Sequence, residues 1–596
     1  MNKQTFMKRM MTYTFALLLS VIGSMGFAVL NGQKARAEDL PVIYKSGTLS
    51  VNETWSAGSV YVVSRGITVP NDVTLTIEAG AIVKFGGGSS IDVSGGTLHV
   101  NGTSTNNVIL TSYSDDSVGG DSTGDGNHTP SIFDYGAAIT LDGGSVDVAF
   151  AHFYYGQWGM DSITTGGTAT FTDSVFEGAG GIRSFYPINL ERNTFKVVAS
   201  GAINADYSVD VTGIILSGPN KNIFIGSGAQ SLIDTRQAKI PAGKIWNVDS
   251  GVTIFANYDF EVNGTLNLGP GALIKVQGGG DGVTVNNGGS LISNGTANDP
   301  VTITSYNDDS IGGDSTGNGN GLPSAGDYNS AIFAQTGSQV NIRNTNIYYA
   351  TNAFELSGKT QIVGANIANV INGFITYYMQ GDFQDVVINN VTTGISVRGN
   401  SQLVFRGNFQ NVSDKAIRSC NWGDGCSIDA AYTDWGSAAG PFQASGNTVC
   451  GQVTVSPWIN GPATSSDIFA IKNCNGSPNP EEQLNDTIQR YQQLADSRQI
   501  QCDEGFEDVC QQISRTFACV DAAVGLAMSN SPFPTPGSSP SETAGTFIGD
   551  YTSASSTYVN GIEEAAPAAF SLNVANQLTS VLGIFSALNN AYNNCN

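Results

Sequence analysis

Apolar and polar residues alternate in short runs along most of the chain. The segment Ile67–Ile77 alternates in this way, and the runs Ile91–Val93 and Leu98–Val100 follow it, with Gly or Asn near their ends. A period of two places successive side chains on opposite faces of a strand. The second half of the chain repeats the pattern, for example at Val262–Leu266 and Ala272–Val276. The pattern predicts many short β-strands separated by tight turns.

A long internal repeat narrows the choice of fold. Residues 101–138 recur at 294–331 with a constant offset of 193 residues, and 23 of the 38 positions are identical. Short strands at close spacing occur both in sets of β-sandwiches and in parallel β-helices. Continuous internal similarity and recurrent Asn and Gly at turn positions favour stacked coils. We therefore predict an all-β, right-handed parallel β-helix (a solenoid) with an internal duplication and a small C-terminal α-helical region.

The pattern changes after Cys474, where apolar residues such as Leu484 and Ile488 fall at helical spacing. The predicted organisation is a signal peptide at 1–37, a first half of the β-helix at 38–215, a second half with its terminal cap at 216–474, a linker at 475–480, and a disulfide-linked helical region at 481–596 with a Pro/Ser-rich segment at 529–545 that we expect to be mobile.

The first residues have the features of an export signal. Lys3, Lys8 and Arg9 precede an apolar run, and Ala35-Arg36-Ala37 supplies a cleavage site. An uncleaved anchor is the alternative, although the run is short for a membrane span. We expect a secreted or cell-surface protein with no membrane span in the mature chain.

All eight cysteines lie in the last third of the chain, and an even number in an exported protein indicates disulfides. They are Cys420, Cys426, Cys450, Cys474, Cys502, Cys510, Cys519 and Cys595. A Cys420–Cys426 bridge would close a short loop, and a Cys450–Cys474 bridge would tie down the cap of the solenoid. The pairing of the other four stays open. No Cys-x-x-Cys pair occurs, which argues against zinc.

The excess of acidic residues limits the kinds of partner that the protein can bind. Removal of residues 1–37, which hold five basic residues and no acids, leaves 21 basic against 50 acidic residues, a net charge of −29. Such a surface repels nucleic acid and anionic lipid and suits the binding of divalent cations. Solubility alone is an equal explanation of the charge.

Two acidic loops are the candidates for calcium binding. The first carries Asp-Ser-Thr-Gly-Asp-Gly at residues 121–126, which matches the front half of a calcium-binding loop, and its copy begins at residue 314. The twelfth residue is Ile132 or Ala325, so the closing Glu is absent. The candidate ligands are Asp115, Asp116, Asp121, Asp125, Asp134, Asp308, Asp309, Asp314, Asn318 and Asp327. The alternative is that these residues only form Asx-turns.

Paired tyrosines recur in the two halves and are candidates for stacking on sugars. They are Tyr154, Tyr155, Tyr348 and Tyr349. The alternative is that the rings stack in the core. Because neighbours in a strand face opposite sides, we expect one ring of each pair to point inward and one to be exposed.

Three motifs resemble those of secreted right-handed parallel β-helix repeat proteins of bacteria. Thr74–Phe85 is similar to the opening coil, Ser114–Gly126 to an acidic loop, and Tyr432–Pro441 with Val453–Trp458 to the closing coil. The resemblance covers about residues 38–460. It implies the fold and a broad range of roles, because that family includes adhesins, surface proteins of unknown role and polysaccharide-degrading enzymes.

The chain lacks the catalytic signatures that this family's hydrolases carry. Lys84 and Lys275 are candidates for a lyase base, but they lie inside the opening-coil motif, where we expect their stems to cover a coil edge. The sequence favours a non-catalytic protein that binds an extracellular polysaccharide or another cell-surface component, with calcium stabilising its acidic loops. The alternatives are a calcium-dependent polysaccharide lyase or glycoside hydrolase, and a structural spacer of the envelope.

Overall fold

The structure is a computed structural model that describes residues 40–455 together with Ile459 and Cys474. Gaps in this range fall at residues 125, 127, 163–165, 179, 197–200, 207, 227–231, 320, 421–425, 438–439, 444–445, 448 and 452. The predicted signal peptide, the linker and the helical region with Cys502, Cys510, Cys519 and Cys595 lie outside the described residues. The described residues divide into two compact units: unit 1 comprises those up to residue 182 together with Lys196, and unit 2 comprises those at 183–195 and from 201 onward.

Unit 1 consists of short strands that wind in successive coils. The strands are β1 Val42–Thr48, β2 Glu53–Trp55, β3 Val60–Pro70, β4 Thr74–Glu78, β5 Ile82–Phe85, β6 Ile91–Ser94, β7 Thr97–Asn101, β8 Val108–Ser112, β9 Tyr135–Asp142, β10 Ser145–Ala149, β11 Ala151–Tyr154, β12 Gly156–Ser162, β13 Thr168–Thr172 and β14 Val175–Glu177. A further strand, β15 Ile182–Ser184, begins at the last residue of this stretch. Each strand pairs in parallel with the one a coil further along, as β4 does with β7 and β7 with β10.

Unit 2 continues in the same manner. Its strands are β16 Ile188–Glu191, β17 Thr194–Phe195, β18 Ile203–Ala205, β19 Ile223–Phe224, β20 Leu232–Asp234, β21 Lys239–Ile240, β22 Ile245–Val248, β23 Thr253–Ala256, β24 Phe260–Val262, β25 Thr265–Leu268, β26 Leu273–Val276, β27 Val283–Val285, β28 Ser290–Asn294, β29 Val301–Ser305, β30 Tyr328–Tyr348, β31 Ala350–Tyr377, β32 Gln380–Arg398, β33 Gln402–Arg418, β34 Ser427–Asp429, β35 Phe442–Gln443, β36 Gly446–Asn447, β37 Val449–Cys450 and β38 Val453–Thr454. The long strands β30 to β33 each follow a large part of one coil and pair in parallel with the next.

The parallel pairing confirms the prediction of a parallel β-solenoid over separate sandwiches. Among the described strand pairs only β35–β36 is antiparallel. The described residues contain no α-helix, and none of their segments is a helix long and apolar enough to cross a bilayer. The handedness of the coil stays a prediction.

Each core is a stack of apolar layers. In unit 1 Leu75 lies in register with Leu98, and Leu98 with Val146, and all three are buried. In unit 2 Phe354 stacks on Phe374, with ring centroids 4.8 Å apart. Each side chain of this size stabilises the fold by about 1.5–3 kcal/mol when fully buried. Apolar and polar residues therefore alternate along each strand because every second side chain points into the core. There it packs against the side chains of the coils above and below.

The end of the described solenoid carries the two disulfides that the sequence predicts, Cys420–Cys426 and Cys450–Cys474. Trp435 is buried there and stacks on Phe409, with ring centroids 5.3 Å apart. This ring covers the last apolar layers, as expected for a cap. Trp422 and Trp458, which the sequence places in the same cap, lie outside the described residues.

Candidate functional site

The two acidic loops, residues 112–134 in unit 1 and 305–327 in unit 2, are held by matching hydrogen bonds. Asp115 is buried, and its carboxylate accepts a hydrogen bond of 2.7 Å from Thr111 Oγ1. Asp308 is buried at the equivalent position and accepts one of 2.7 Å from Thr304 Oγ1. Each carboxylate also accepts a hydrogen bond from the serine two residues later. These two aspartates fix the path by which each loop leaves its strand.

Asp121 and Asp314, the first residues of the predicted calcium motifs, form turns in this structure. Asp121 Oδ1 accepts a hydrogen bond of 2.7 Å from the backbone N–H of Gly124, and Asp314 Oδ1 accepts one of 3.1 Å from that of Asn318. The other oxygen of each carboxylate accepts a second backbone N–H, at 3.1 and 3.2 Å. Asp125 lies outside the described residues. Both carboxylates thus form Asx-turns, and their role as calcium ligands stays a prediction.

Asp134 and Asp327 close the two loops. Each accepts a hydrogen bond of 2.6 Å from a serine at the start of its loop, Ser112 or Ser305. Burial raises the pKa of Asp327, but hydrogen bonds led by that from Ser305 outweigh burial and hold the pKa below its usual value. This aspartate therefore stays ionised and ties the two ends of its loop together.

The lysines of the opening-coil motif lie beneath the loops, which corrects our expectation that their stems cover a coil edge. Lys84 and Lys275 are fully buried. Lys84 Nζ donates a hydrogen bond of 2.7 Å to Gly120 O, and Lys275 Nζ donates one of 2.6 Å to Gly313 O. In β5 Lys84 alternates with residues that face the core, so it points outward, where the acidic loop folds back over it. A pattern of short strands does not reveal that a loop covers the outer face.

The paired tyrosines lie beside these loops in both units. The backbone N–H of Asp327 donates to Tyr349 O at 3.0 Å, and Tyr328 Oη donates to Tyr348 O at 2.8 Å. Burial raises the pKa of Tyr349, and the charge of Asp308 raises it further. In unit 1 burial raises the pKa of Tyr155, and the charge of Asp115, the equivalent aspartate, raises it further.

The expectation that one tyrosine of each pair points inward is wrong. Tyr154, Tyr155, Tyr348 and Tyr349 are all half-buried. The second tyrosine of each pair has a positive φ, 61° at Tyr155 and 65° at Tyr349, so the chain turns a corner there and strand alternation ends. All four phenol rings therefore lie between the core and the solvent.

Among the described residues, no three His, Cys, Asp or Glu side chains lie close enough together to hold a metal ion. The ten predicted ligands are instead distributed along the two loops. A calcium ion bound here would have to take most of its ligands from hydroxyl, carbonyl and water oxygens, which calcium accepts. Calcium binding by these loops stays a prediction.

A row of polar side chains, which the sequence analysis missed, crosses successive coils of unit 2. Asp259 Oδ1 accepts a hydrogen bond of 2.8 Å from the N–H of Asp281, and Asp281 Oδ1 accepts one of 2.9 Å from the N–H of Ser330. Ser330 lies in register with Asn352, whose Oδ1 accepts a hydrogen bond of 2.9 Å from Asn372 Nδ2. We call these five residues and Glu355, which accepts hydrogen bonds from Ser330 Oγ and Asn352 Nδ2, the polar row.

Aromatic rings flank the polar row. Tyr258, next to Asp259, is 55 % exposed and has a φ of 77°. Tyr349 comes three residues before Asn352 and hydrogen-bonds Asn369, which also has a positive φ. Left-handed residues recur here because each coil must bend sharply at the same place, and Asn tolerates that conformation better than most residues. The row and its tyrosines therefore share one corner of the coil.

Asp281 is the most perturbed carboxylate of the row. Burial raises its pKa, and the charges of Asp259 and Glu355 raise it further against hydrogen bonds from Ser330. Its environment favours the protonated form more than that of an exposed aspartate does. Only the spacing of one coil, which separates residues 259 and 281, could have indicated this contact in the sequence.

A cavity of about 460 Å³ lies at the capped end of unit 2, lined in part by Gln410, Asn411 and Gly436. Its two aromatic lining residues, Phe409 and Trp435, are each 3 % exposed and stack on each other. Because these rings are used in the core, they offer little surface to a ligand.

No family model and no curated protein matches the chain. Among solved structures, the chain is similar to the catalytic unit of a thermostable GH87 alpha-1,3-glucanase from Streptomyces thermodiastaticus strain HF3-3, with 12 % identity and a TM-score of 0.16. The similarity covers 71 % of this chain and 66 % of that one. At this TM-score the likeness supports no inference about function. The class of the protein, a parallel β-solenoid, rests on its own strand pairing.

Proposed function

We propose that the protein binds a neutral, hydroxyl-rich polysaccharide along the polar row of unit 2, without cleaving it. The observation that supports the proposal is the continuous row from Asp259 to Asn372, flanked by Tyr258 and Tyr349. Carboxylates accept hydrogen bonds from sugar hydroxyls, and amides both donate and accept them. Tyrosine rings supply faces on which the apolar side of a sugar stacks.

The charge of the site determines which polysaccharide is suitable. Asp259 and Glu355 show no compensating ion pair in the described structure, and the whole chain has a net charge of −24. A polyuronate would be repelled by such a surface, whereas a neutral glycan would not. Coils follow one another at about 4.8 Å, so an extended glycan would meet the partly exposed groups of Asp259, Asp281, Asn352 and Asn372 on successive coils. Ser330 is 1 % exposed, so it links the row from beneath and does not itself contact the glycan.

A secreted or cell-surface location is part of the proposal. The two disulfides in the described residues support it, because disulfides persist in oxidising, extracellular compartments. The tyrosines beside the acidic loop of unit 1, Tyr154 and Tyr155, are proposed as a second glycan contact.

The test is affinity electrophoresis of the full chain through gels that contain neutral polysaccharides. We expect retardation by at least one neutral glucan, mannan or galactan, and loss of most of it in Tyr349→Asn. Asn suits the left-handed corner, where Asn369 and Asn390 occupy later coils. The matched control is Tyr378→Asn, because Tyr378 is 72 % exposed, has a φ of 48° and lies outside the row. Equal retardation of both variants, or none of the wild type, would contradict the proposal.

Hydrolysis of the bound glycan is the second candidate, and the raised pKa of Asp281 between Asp259 and Glu355 is the observation that favours it. Glycosidases use a carboxyl group of raised pKa as the acid and a second carboxylate as base or nucleophile. Release of reducing ends by the wild type, abolished in Asp281→Asn with binding retained, would replace our non-catalytic proposal with this one.

A further inference from the structure

The first strand of unit 1 has one edge that no other described strand covers. β1 pairs in parallel with β3, and no further described strand pairs with it. Pro41 O accepts a hydrogen bond of 2.9 Å from the N–H of Val60 on β3, so the odd-numbered residues of β1 bond to β3. Because backbone groups alternate along a strand, Val42 and Tyr44 turn their N–H and C=O groups toward the uncovered edge. Such a row of backbone groups can pair with another strand.

The same end of unit 1 exposes apolar side chains. The exposed fractions are 36 % at Val42, 37 % at Ile43, 62 % at Tyr44 and, in the turn that follows β1, 66 % at Val51. Lys45 carries the one charge of β1, and its ammonium is paired with the carboxylate of Glu53. The terminal coil of a solenoid normally needs a polar outer face to stay soluble. An exposed, apolar first coil therefore indicates a surface that is covered in the functional protein.

The chain offers little of its own to pair with this edge. If the export signal is removed after Ala37, as the sequence predicts, only Glu38 and Asp39 precede the described residues. Leu40 already packs on the apolar cluster of Val60. Two acidic residues are too few to form a strand. The region at 481–596 is predicted to be helical, and a helix bonds its own backbone groups, so it would not supply the hydrogen bonds of a strand.

A second copy of this chain fits the edge because the edge fits itself. A two-fold axis brings the same surface of two copies together and closes the assembly at two chains. Antiparallel pairing of β1 with β1 of the copy satisfies the outward backbone groups and covers Val42 and Tyr44 of both chains. Lys45 does not oppose the contact, because Glu53 neutralises it. A head-to-tail contact would find no free apolar layer on the last coils of unit 2, which Trp435 covers.

We propose that the mature protein forms a two-fold dimer through β1, in which the two first strands pair antiparallel and join the sheets of the two chains. Dimerisation in this way does not depend on glycan binding. One strand of seven residues is a small contact, below the about 800 Å² per partner of a standard interface. We therefore expect a weak, concentration-dependent dimer with a dissociation constant on the order of 10⁻⁵–10⁻⁴ M.

The first test is sedimentation velocity of the mature chain at loading concentrations from about 10⁻⁶ M to about 3 × 10⁻⁴ M. We expect the mass of one chain at the lowest concentration and a rise toward twice that mass at the highest. Tyr44→Pro should stay monomeric, because proline removes an outward N–H and blocks the edge without breaking a bond to β3. Tyr44→Phe is the matched control, since it loses only the hydrogen bond to Ser122 O and should still dimerise. A wild type that stays monomeric, or equal dimerisation of Tyr44→Pro, would overturn the proposal.

Ionic strength separates apolar strand pairing from a contact between charges. The mature chain has 21 basic and 50 acidic residues, so two copies repel each other at long range. Salt between about 0.05 M and 0.5 M screens this repulsion and should increase the dimer fraction, whereas a decrease would contradict the proposal. If Tyr44→Pro fails to fold, Val42→Lys replaces it and should weaken the dimer at least about tenfold, because an edge lysine opposes pairing. Ile245→Lys, at a residue that is 58 % exposed on β22, is its control and should dimerise like the wild type.

Hydrogen exchange identifies what covers the edge. The amides of Val42 and Tyr44 should exchange quickly in the dilute, monomeric chain and slowly at the concentration where the dimer forms, because only the copy bonds them. A peptide that contains β22 should exchange equally at both concentrations. Slow exchange of these two amides in the monomer would show that residues of the same chain cover β1, and it would overturn the proposal. Dimerisation without added protection of β1 would also overturn it, because it would place the contact elsewhere.

Discussion

Asp234 allows a quantitative prediction of how stability depends on pH, because its surroundings disfavour the ionised form of its carboxyl group. It lies on β20, is 6 % exposed, and has Asp206 nearby. The nearest cation is Arg236, whose Nη2 lies 3.5 Å from Asp234 Oδ2 and whose side chain is 36 % exposed. Burial raises the pKa of Asp234 from 3.8 to about 6, with a further contribution from Asp206, and Arg236 offsets only part of this.

The direction of the pH effect follows from this pKa. A carboxyl with a raised pKa holds its proton more tightly in the folded state than in the unfolded chain. Between about pH 4 and pH 6 the folded state therefore binds more protons, and the free energy of unfolding falls as the pH rises. One pKa unit corresponds to about 1.4 kcal/mol, so the loss from this group is about 3 kcal/mol by pH 7.

Asp234→Asn removes the charge and keeps the shape of the side chain. We expect the variant to be more stable than the wild type at pH 7 by up to about 3 kcal/mol and equal to it below pH 4. Urea unfolding of both proteins at several pH values, followed by circular dichroism, measures the difference. A variant that is less stable than the wild type at pH 7 would refute the reasoning, because it would show that the attraction of Arg236 exceeds the effect of burial.

Three further substitutions test the packing of the fold. Phe374→Ala should destabilise unit 2 by about 3–5 kcal/mol in urea unfolding, since Phe374 is fully buried in the ring stack. The double change Cys450→Ser/Cys474→Ser should destabilise the protein by about 3.5 kcal/mol, the loop-closure value for cysteines 24 residues apart; no change would show that the cap is held without this bridge. Lys275→Met should accelerate hydrogen exchange of the acidic loop through loss of a charge-assisted hydrogen bond of about 1.5–3 kcal/mol, whereas Lys359→Met, on the surface, should not.

Local sequence patterns predicted the features of this protein that depend on neighbouring residues. The alternation in Thr74–Glu78 and Ile91–Ser94 identifies two strands that the structure contains. The pairs Cys420–Cys426 and Cys450–Cys474 follow from proximity in the chain and from the need to close the solenoid. The repeat of residues 101–138 at 294–331 is visible in the structure as matching hydrogen bonds in the two loops.

Contacts between coils could not be predicted in the same way. Asp281 meets Ser330, 49 residues later, only because an acidic loop is inserted between their strands. Coils of unequal length hide such a register from any fixed period in the sequence. The prediction that the stems of Lys84 and Lys275 cover a coil edge was wrong for a related reason. A loop that folds back over a strand leaves no periodic signal in the sequence.

Hydrogen exchange of the full chain, with and without a retarding neutral polysaccharide, tests the central claim most directly. We predict slower exchange at the polar row and its corner, in residues 257–261, 279–284, 328–332, 349–356 and 369–373, with little change at the outer face of β1. Protection confined to other parts of the chain, or no protection at saturating polysaccharide, would contradict the assignment of this corner as the binding surface.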